Sequence, residues 1–140
     1  MEINFNWVAI LAGATTAMLS GMVWYHPTVF GTKWMKSAGL KQKDIETDQG
    51  KAMFITILRA LFLSFALFSL TYIANNYYTD QSFLFNAFRT GLFVGIPIVG
   101  MTILMHDTFE KRGEVATTVN ILYEITTIIS MSIVIGLIAG

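Results

Sequence analysis

One carboxylate stands inside a long apolar run near the end of the chain. Glu124 lies about ten residues into the segment 115–139, which at ~1.5 Å of rise per residue places it roughly 15 Å deep in a membrane. An ionisable group at that depth costs about 2.5–3.5 kcal/mol on insertion scales unless it is paired or hydrated. Intramembrane carboxylates often mark proton or ion paths. Glu124 therefore predicts either a titrating site or a static ion pair.

Polar residues share the face of the helix that carries Glu124. Thr117, Asn120, Glu124 and Thr127 are spaced three, four and three residues apart, so they follow one side of a helix. Arg59 stands in the second apolar run at a similar depth, and we predict that it pairs with Glu124. The pair and its neighbours form either a proton- or ion-coupled site or a structural contact in which Asn120 and the threonines join helices.

A second arginine falls in the third apolar run. Arg89 lies nearer the opposite membrane face than Arg59 does. Its long side chain can extend outward to the interface, pair with Glu2, or reach inward and compete for Glu124. The sequence leaves these three alternatives open.

A weaker group of candidate ligands occurs at the ends of two apolar runs. Imidazole and carboxylate groups suit zinc, iron or manganese, but their spacing here matches no strong metal motif, and interfacial histidines are usually solvated. The chain has no cysteine, so no thiolate site or cysteine nucleophile is available, and no cofactor is expected. The candidate metal ligands are His26, His106, Asp107 and Glu110.

The composition predicts a membrane protein. Of 140 residues, 54% are hydrophobic and only 13% are charged, about half the roughly 25% typical of soluble domains. The net charge is zero, which gives no case for a nucleic-acid partner. We predict an all-α, four-helix transmembrane bundle formed as one domain over residues 1–140. Its helices are expected at about 5–25, 52–74, 83–106 and 115–139, with one long loop at 28–50.

Small residues recur along two of these helices. In lipid, helices associate through close backbone packing, which small side chains permit. Four helices enclose little space for a solute path, so we expect at least one small-residue face to meet a second protomer, and twofold dimers are the commonest closed assembly. The predicted packing residues are Ala9, Gly13, Ala17 and Gly21 in the first helix, and Gly91 and Gly95 in the third.

The distribution of lysine and arginine predicts an orientation. The first loop with its flanking Lys51 carries five of these residues and the third loop carries two, whereas the termini and the second loop carry none. Because cytoplasmic loops are enriched in Lys and Arg, we predict that both termini lie outside.

Aromatic residues, glycine and proline cluster where the first helix ends. They are Trp24, Tyr25, Pro27, Phe30, Gly31 and Trp34. Together with Asn120 and Tyr123, this cluster resembles the signature of a bacterial membrane family catalogued as domain of unknown function 1761. The resemblance implies a four-helix membrane protein with no assigned activity.

Three functions are compatible with the sequence. The first is a small bacterial inner-membrane protein of unknown activity that contacts the lipid bilayer and has no enzymatic chemistry. It acts as a homo-oligomer, expected to be a homodimer, with a buried polar core of Arg, Glu and Asn. The second is a dimeric proton-coupled transporter or channel for a small solute or ion, with Glu124 as the titrating group. The third is a metal-dependent enzyme at the cytoplasmic interface.

Overall fold

The fold is a bundle of helices. A computed structural model describes residues 3–140, and within that range there is no strand. Two short π-helical segments, Pro27–Gly31 and Val94–Gly100, interrupt the α-helices. The α-helices are α1 (Trp7–Trp24), α2 (Thr32–Ala38), α3 (Gln42–Thr47), α4 (Gln49–Tyr77), α5 (Phe83–Phe93), α6 (Met101–Phe109) and α7 (Glu114–Ala139).

Among residues 3–140, four helices are long and apolar enough to cross a membrane. They are α1, α4, α7 and the continuous run Phe83–Phe109, which joins α5 and α6 through the second π-helical segment. This arrangement confirms the predicted all-α, four-helix class. The observed α4 begins about three residues before and ends about three residues after the expected 52–74, and the third span ends at Phe109 rather than at residue 106. Within this span, the π-helical segment contains Pro97, which has no N–H to donate.

Polar side chains define where two of the spans begin. Asn6 Oδ1 accepts a hydrogen bond from the Ala9 N–H at 3.1 Å, and Ser82 Oγ accepts one from Phe85 N–H at 3.2 Å. Each bond satisfies an N–H of the first helical turn, which has no partner within the helix. These two hydrogen bonds mark where the polar segments before α1 and α5 end and the helices begin.

Helix α7 forms the centre of the bundle. It packs against α1, α4, α5 and α6, and also against the short helix α2. Ile128, Met131 and Ile135 on α7 are completely buried. The outer surface is instead rich in exposed apolar side chains such as Phe62 and Phe93, as expected of helices that face lipid.

The predicted small-residue faces pack within the chain. A Cβ on Gly13 would collide with Ser64 Oγ of α4, whose hydroxyl donates to the Ile10 carbonyl at 2.6 Å. A Cβ on Gly91 would lie 2.7 Å from Ser132 Oγ of α7. Because these faces already contact helices of the same chain, they give no support to a second protomer, and the homodimer stays a prediction. Ala9 and Ala17 are buried on α1, Gly21 faces Tyr123, and Gly95 lies beside Ile125.

Candidate functional site

Arg59 and Glu124 form an ion pair between α4 and α7. Arg59 Nη2 donates to Glu124 Oε2, so the structure brings together the two charges that the sequence places at similar depth. The pair is not sealed inside the bundle, because the Arg59 side chain is 39% exposed and that of Glu124 is 15% exposed. Both side chains of the pair are therefore partly accessible from outside the core.

Arg59 and Glu124 line a cavity of about 620 Å³. It lies between α1, α4 and α7, with α2 and α3 at its outer edge, and we call it the basic-end cavity because residues 28–51 at this end carry five lysines. The cavity exists because α4 separates from the other helices at its beginning, where every residue from Lys51 to Leu58 is exposed. Its polar and aromatic lining consists of Tyr25, Trp34, Gln42, Gln49, Thr56, Arg59, Tyr123 and Glu124.

Asn120 holds two of the aromatic walls in place. Its Oδ1 atom accepts a hydrogen bond from the Tyr25 hydroxyl at 3.0 Å and another from Trp34 Nε1 at 2.8 Å. The Tyr25 ring also packs edge-on against Tyr123, with 4.9 Å between ring centroids. Burial, followed by the nearby Tyr123 and Glu124, raises the pKa of the Tyr25 hydroxyl, so this group remains a hydrogen-bond donor. One amide oxygen thus joins the end of α1 to α2 and α7.

The signature residues between α1 and α2 form the turn that makes this contact. His26 Nδ1 accepts from the Thr28 N–H at 3.4 Å and begins the π-helical segment, whose first residue is Pro27. Gly31 is required at the end of that segment because a Cβ there would overlap the Tyr25 carbonyl oxygen. Trp24 packs on Phe30 with 4.8 Å between ring centroids. This turn directs Trp34 back toward α7.

A second contact fixes α2 to the beginning of α7. Ser37 Oγ accepts a hydrogen bond from the Ala116 N–H at 3.0 Å, which satisfies one of the unpaired donors of the first turn of α7. Gly113 permits this approach because a Cβ there would collide with Ser37. Helix α2 is therefore held at both Trp34 and Ser37, and it covers the end of the basic-end cavity in a defined position.

The other residues of the predicted polar core lie elsewhere. Arg89 extends outward, where it donates to Gln81 Oε1 at 3.0 Å and stacks over the Tyr78 ring at 4.2 Å from the centroid. It does not reach Glu124, and the alternative partner Glu2 lies outside the described residues. Thr117 and Thr127 are on α7 but outside the wall of the cavity.

The four candidate metal ligands do not form a site. Asp107 and Glu110 both face Arg112, at 3.6 Å and 2.8 Å, while His26 bonds Thr28 in the turn after α1. His106 is exposed. No three His, Cys, Asp or Glu side chains of residues 3–140 lie close enough together to hold a metal ion. The structure therefore does not bring the four residues together, because Arg112 pairs with the two carboxylates.

Sequence reasoning missed the role of Asn120 and the contact made by Ser37. It placed Asn120 on one helix face with Glu124. In the structure, the side-chain oxygen of Asn120 instead accepts hydrogen bonds from Tyr25 and Trp34. One signal was present: a buried Trp N–H or Tyr O–H usually requires a partner, and Asn120 precedes Glu124 by one helical turn. Ser37 carried no comparable signal, because its partner is a backbone N–H.

Comparison with known proteins identifies one family. The family DUF1761, described as a protein of unknown function, matches residues 8–136. No curated protein and no solved structure matches the chain.

Proposed function

Since this chain belongs to the DUF1761 family, whose description assigns no function, we propose that it is a membrane protein that binds a small solute in the basic-end cavity. Arg59 and Glu124 provide the polar anchors. One observation supports the proposal above the rest: the ion pair lies in the wall of a 620 Å³ cavity, within the range of about 300–1,000 Å³ usual for ligand sites.

The exposure of the pair argues against a purely structural role. A pair that only joins helices gains most when water and ligands are excluded, because a low dielectric strengthens the attraction. Here the Arg59 side chain is more than one-third exposed. Its guanidinium is therefore accessible to a molecule that enters between α1 and α4.

The closed centre of the bundle favours binding over an open channel. Beyond Glu124, the completely buried Ile128, Met131 and Ile135 fill the space around α7. The part of the chain that the structure describes therefore offers a pocket and not a continuous path across the bundle. If the protein also transports its solute, passage to the other side requires either movement of the helices or a second protomer, and the homodimer belongs to that function.

The charge distribution supports an orientation for the pocket. We place the basic end in the cytoplasm and both termini outside, on the basis of the positive-inside rule and the seven Lys and Arg residues at that end. The resemblance of the signature residues to a bacterial family supports a location in the bacterial inner membrane.

Proton-coupled transport is the second candidate. It is favoured by the partial exposure of Glu124 in the cavity wall, because a carboxylate that exchanges protons needs access to water or substrate. In this function Glu124→Gln abolishes proton movement in liposomes that contain a pH-sensitive dye. If protons move equally fast in this variant and in the unaltered protein, Glu124 is excluded as the coupling group.

Cysteine accessibility tests the binding proposal. The chain has no cysteine, so a single introduced thiol reports on its own position. We expect Thr56→Cys, in the cavity wall, to react with a charged methanethiosulfonate reagent added to the basic end. Ser132→Cys is the matched control, since Ser132 is completely buried and the change is nearly isosteric. Equal protection of the two thiols would show that the cavity is closed and would contradict the proposal.

A further inference from the structure

We propose that the basic-end cavity takes an amphiphile with an anionic headgroup, either a carboxylate or a phosphate. The headgroup binds the Arg59 guanidinium, and the apolar body lies along the wall formed by α1 and α4. This inference rests on the proposed binding function and adds the chemical class of the ligand.

The hydrogen-bonding capacity of the wall selects an acceptor. A guanidinium has five N–H donors, and the bond from Nη2 to Glu124 is the one side-chain partner that Arg59 has among residues 3–140. Two of the other polar donors in the wall already have partners, because Tyr25 and Trp34 both donate to Asn120. Arg59 is the cation in this wall, and its remaining N–H groups pair best with planar carboxylate or phosphate oxygens.

The relative exposure of Arg59 and Glu124 also indicates a ligand of negative charge. Arg59 is 39% exposed and Glu124 is 15% exposed, so an incoming group meets the guanidinium before the carboxylate. Residues 28–51 add five lysines against Asp44, Glu46 and Asp48, a net positive charge at the edge of the cavity that attracts anions. A cationic ligand would have to displace Arg59 from Glu124 against this field.

The rest of the wall suits an apolar body that enters from the bilayer. Methionines from three helices line it, and their flexible thioether side chains adapt to irregular apolar shapes. Met22 on α1 and Met53 on α4 are 66% and 43% exposed, so they mark an opening between these two helices that faces lipid. Met18 and Met35 continue the same lining inward. The ligand is either a membrane lipid or a free acid that partitions into the bilayer.

Photo-crosslinking in nanodiscs of phosphatidylcholine tests the ligand class. Two probes distinguish the sources: a diazirine derivative of palmitate for the free acid and a diazirine derivative of phosphatidylglycerol for the lipid. Peptide mass spectrometry measures labelling of the cavity wall, and the peptide that contains the exposed Phe62 serves as a reference for general contact with lipid. We expect one probe to label the peptides of Met22 and Met53 above that reference.

Charge variants give opposite expected changes. Arg59→Gln should lower cavity labelling about tenfold or more, since a tenfold change corresponds to about 1.4 kcal/mol, close to the smallest contribution of a hydrogen bond to a charged group. Glu124→Gln should raise labelling, because the guanidinium loses its competing carboxylate. The double variant Arg59→Gln/Glu124→Gln buries no unpaired charge and should show the loss without unfolding. Arg89→Gln, at the other end of the bundle, is the control and should leave cavity labelling unchanged.

Three results would overturn the inference. Labelling that falls in Glu124→Gln and rises in Arg59→Gln would show that the anionic headgroup does not bind the guanidinium. Cavity labelling that is independent of both charges would leave the binding function standing but exclude an anionic headgroup. If neither probe labels the cavity and Thr56→Cys is also unreactive, both the ligand class and the binding function are wrong.

Discussion

Replacement of Asn120 by alanine tests how the cavity is held together. The change removes the oxygen that accepts from Tyr25 at 3.0 Å and from Trp34 at 2.8 Å, and it leaves both donors without that partner. Measured hydrogen bonds between membrane helices average about 0.6 kcal/mol and reach about 1.7 kcal/mol. For two bonds we therefore expect Asn120→Ala to lower the free energy of unfolding by about 1–3 kcal/mol.

The assay is reversible unfolding in mixed micelles, followed by circular dichroism, with a double-mutant cycle. Trp34→Phe removes one donor, so its effect should shrink by about 0.5 kcal/mol or more when Asn120 is already alanine. Thr118→Ala is the matched control, because this exposed threonine on the same helix bonds only the Glu114 carbonyl. Additive effects of Asn120→Ala and Trp34→Phe, or equal stability of Asn120→Ala and the control, would refute the claim that Asn120 joins α2 to α7.

Three further changes test the packing, the cap and the ion pair. Gly91→Leu should lower the free energy of unfolding by about 1–3 kcal/mol through overpacking. Gly50→Leu is the control and should change this free energy little, because no atom lies within 4 Å of an added Cβ. Similar thermal stability of the two variants would contradict the observed packing. Ser37→Ala should reduce the free energy of unfolding by about 0.5–2 kcal/mol, as loss of a helix cap does. It should also speed hydrogen exchange at the start of α7, and unchanged exchange there would argue against the cap. Arg59→Ala should destabilise the bundle by about 1–3 kcal/mol, between the values for exposed and fully buried pairs, and a smaller loss in Arg59→Ala/Glu124→Ala would show the coupling.

Several features of the bundle could be predicted because their causes are local in the chain. Four apolar runs need no partner information to be recognised, since a helix satisfies its own backbone hydrogen bonds in lipid. The pairing of Arg59 with Glu124 also followed from depth alone, because two opposite charges at one level of a bilayer are expected to meet. The structure does not bring His26, His106, Asp107 and Glu110 together, because depth does not specify which side of a helix a residue occupies. Arg112 lies nearer to two of them.

The sequence by itself therefore determined the number of helices and their approximate ends. It also identified the charged residues inside the spans, which need a partner in a membrane. Tertiary structure alone decided that α4 separates from α1 to open a cavity beside the ion pair, and that Asn120 bonds Trp34 across 86 positions of the chain. Hydropathy and periodicity describe each helix about its own axis. The rotation and spacing of one helix relative to another depend on the packing of all of them, and those two quantities place the polar groups of this site around one space.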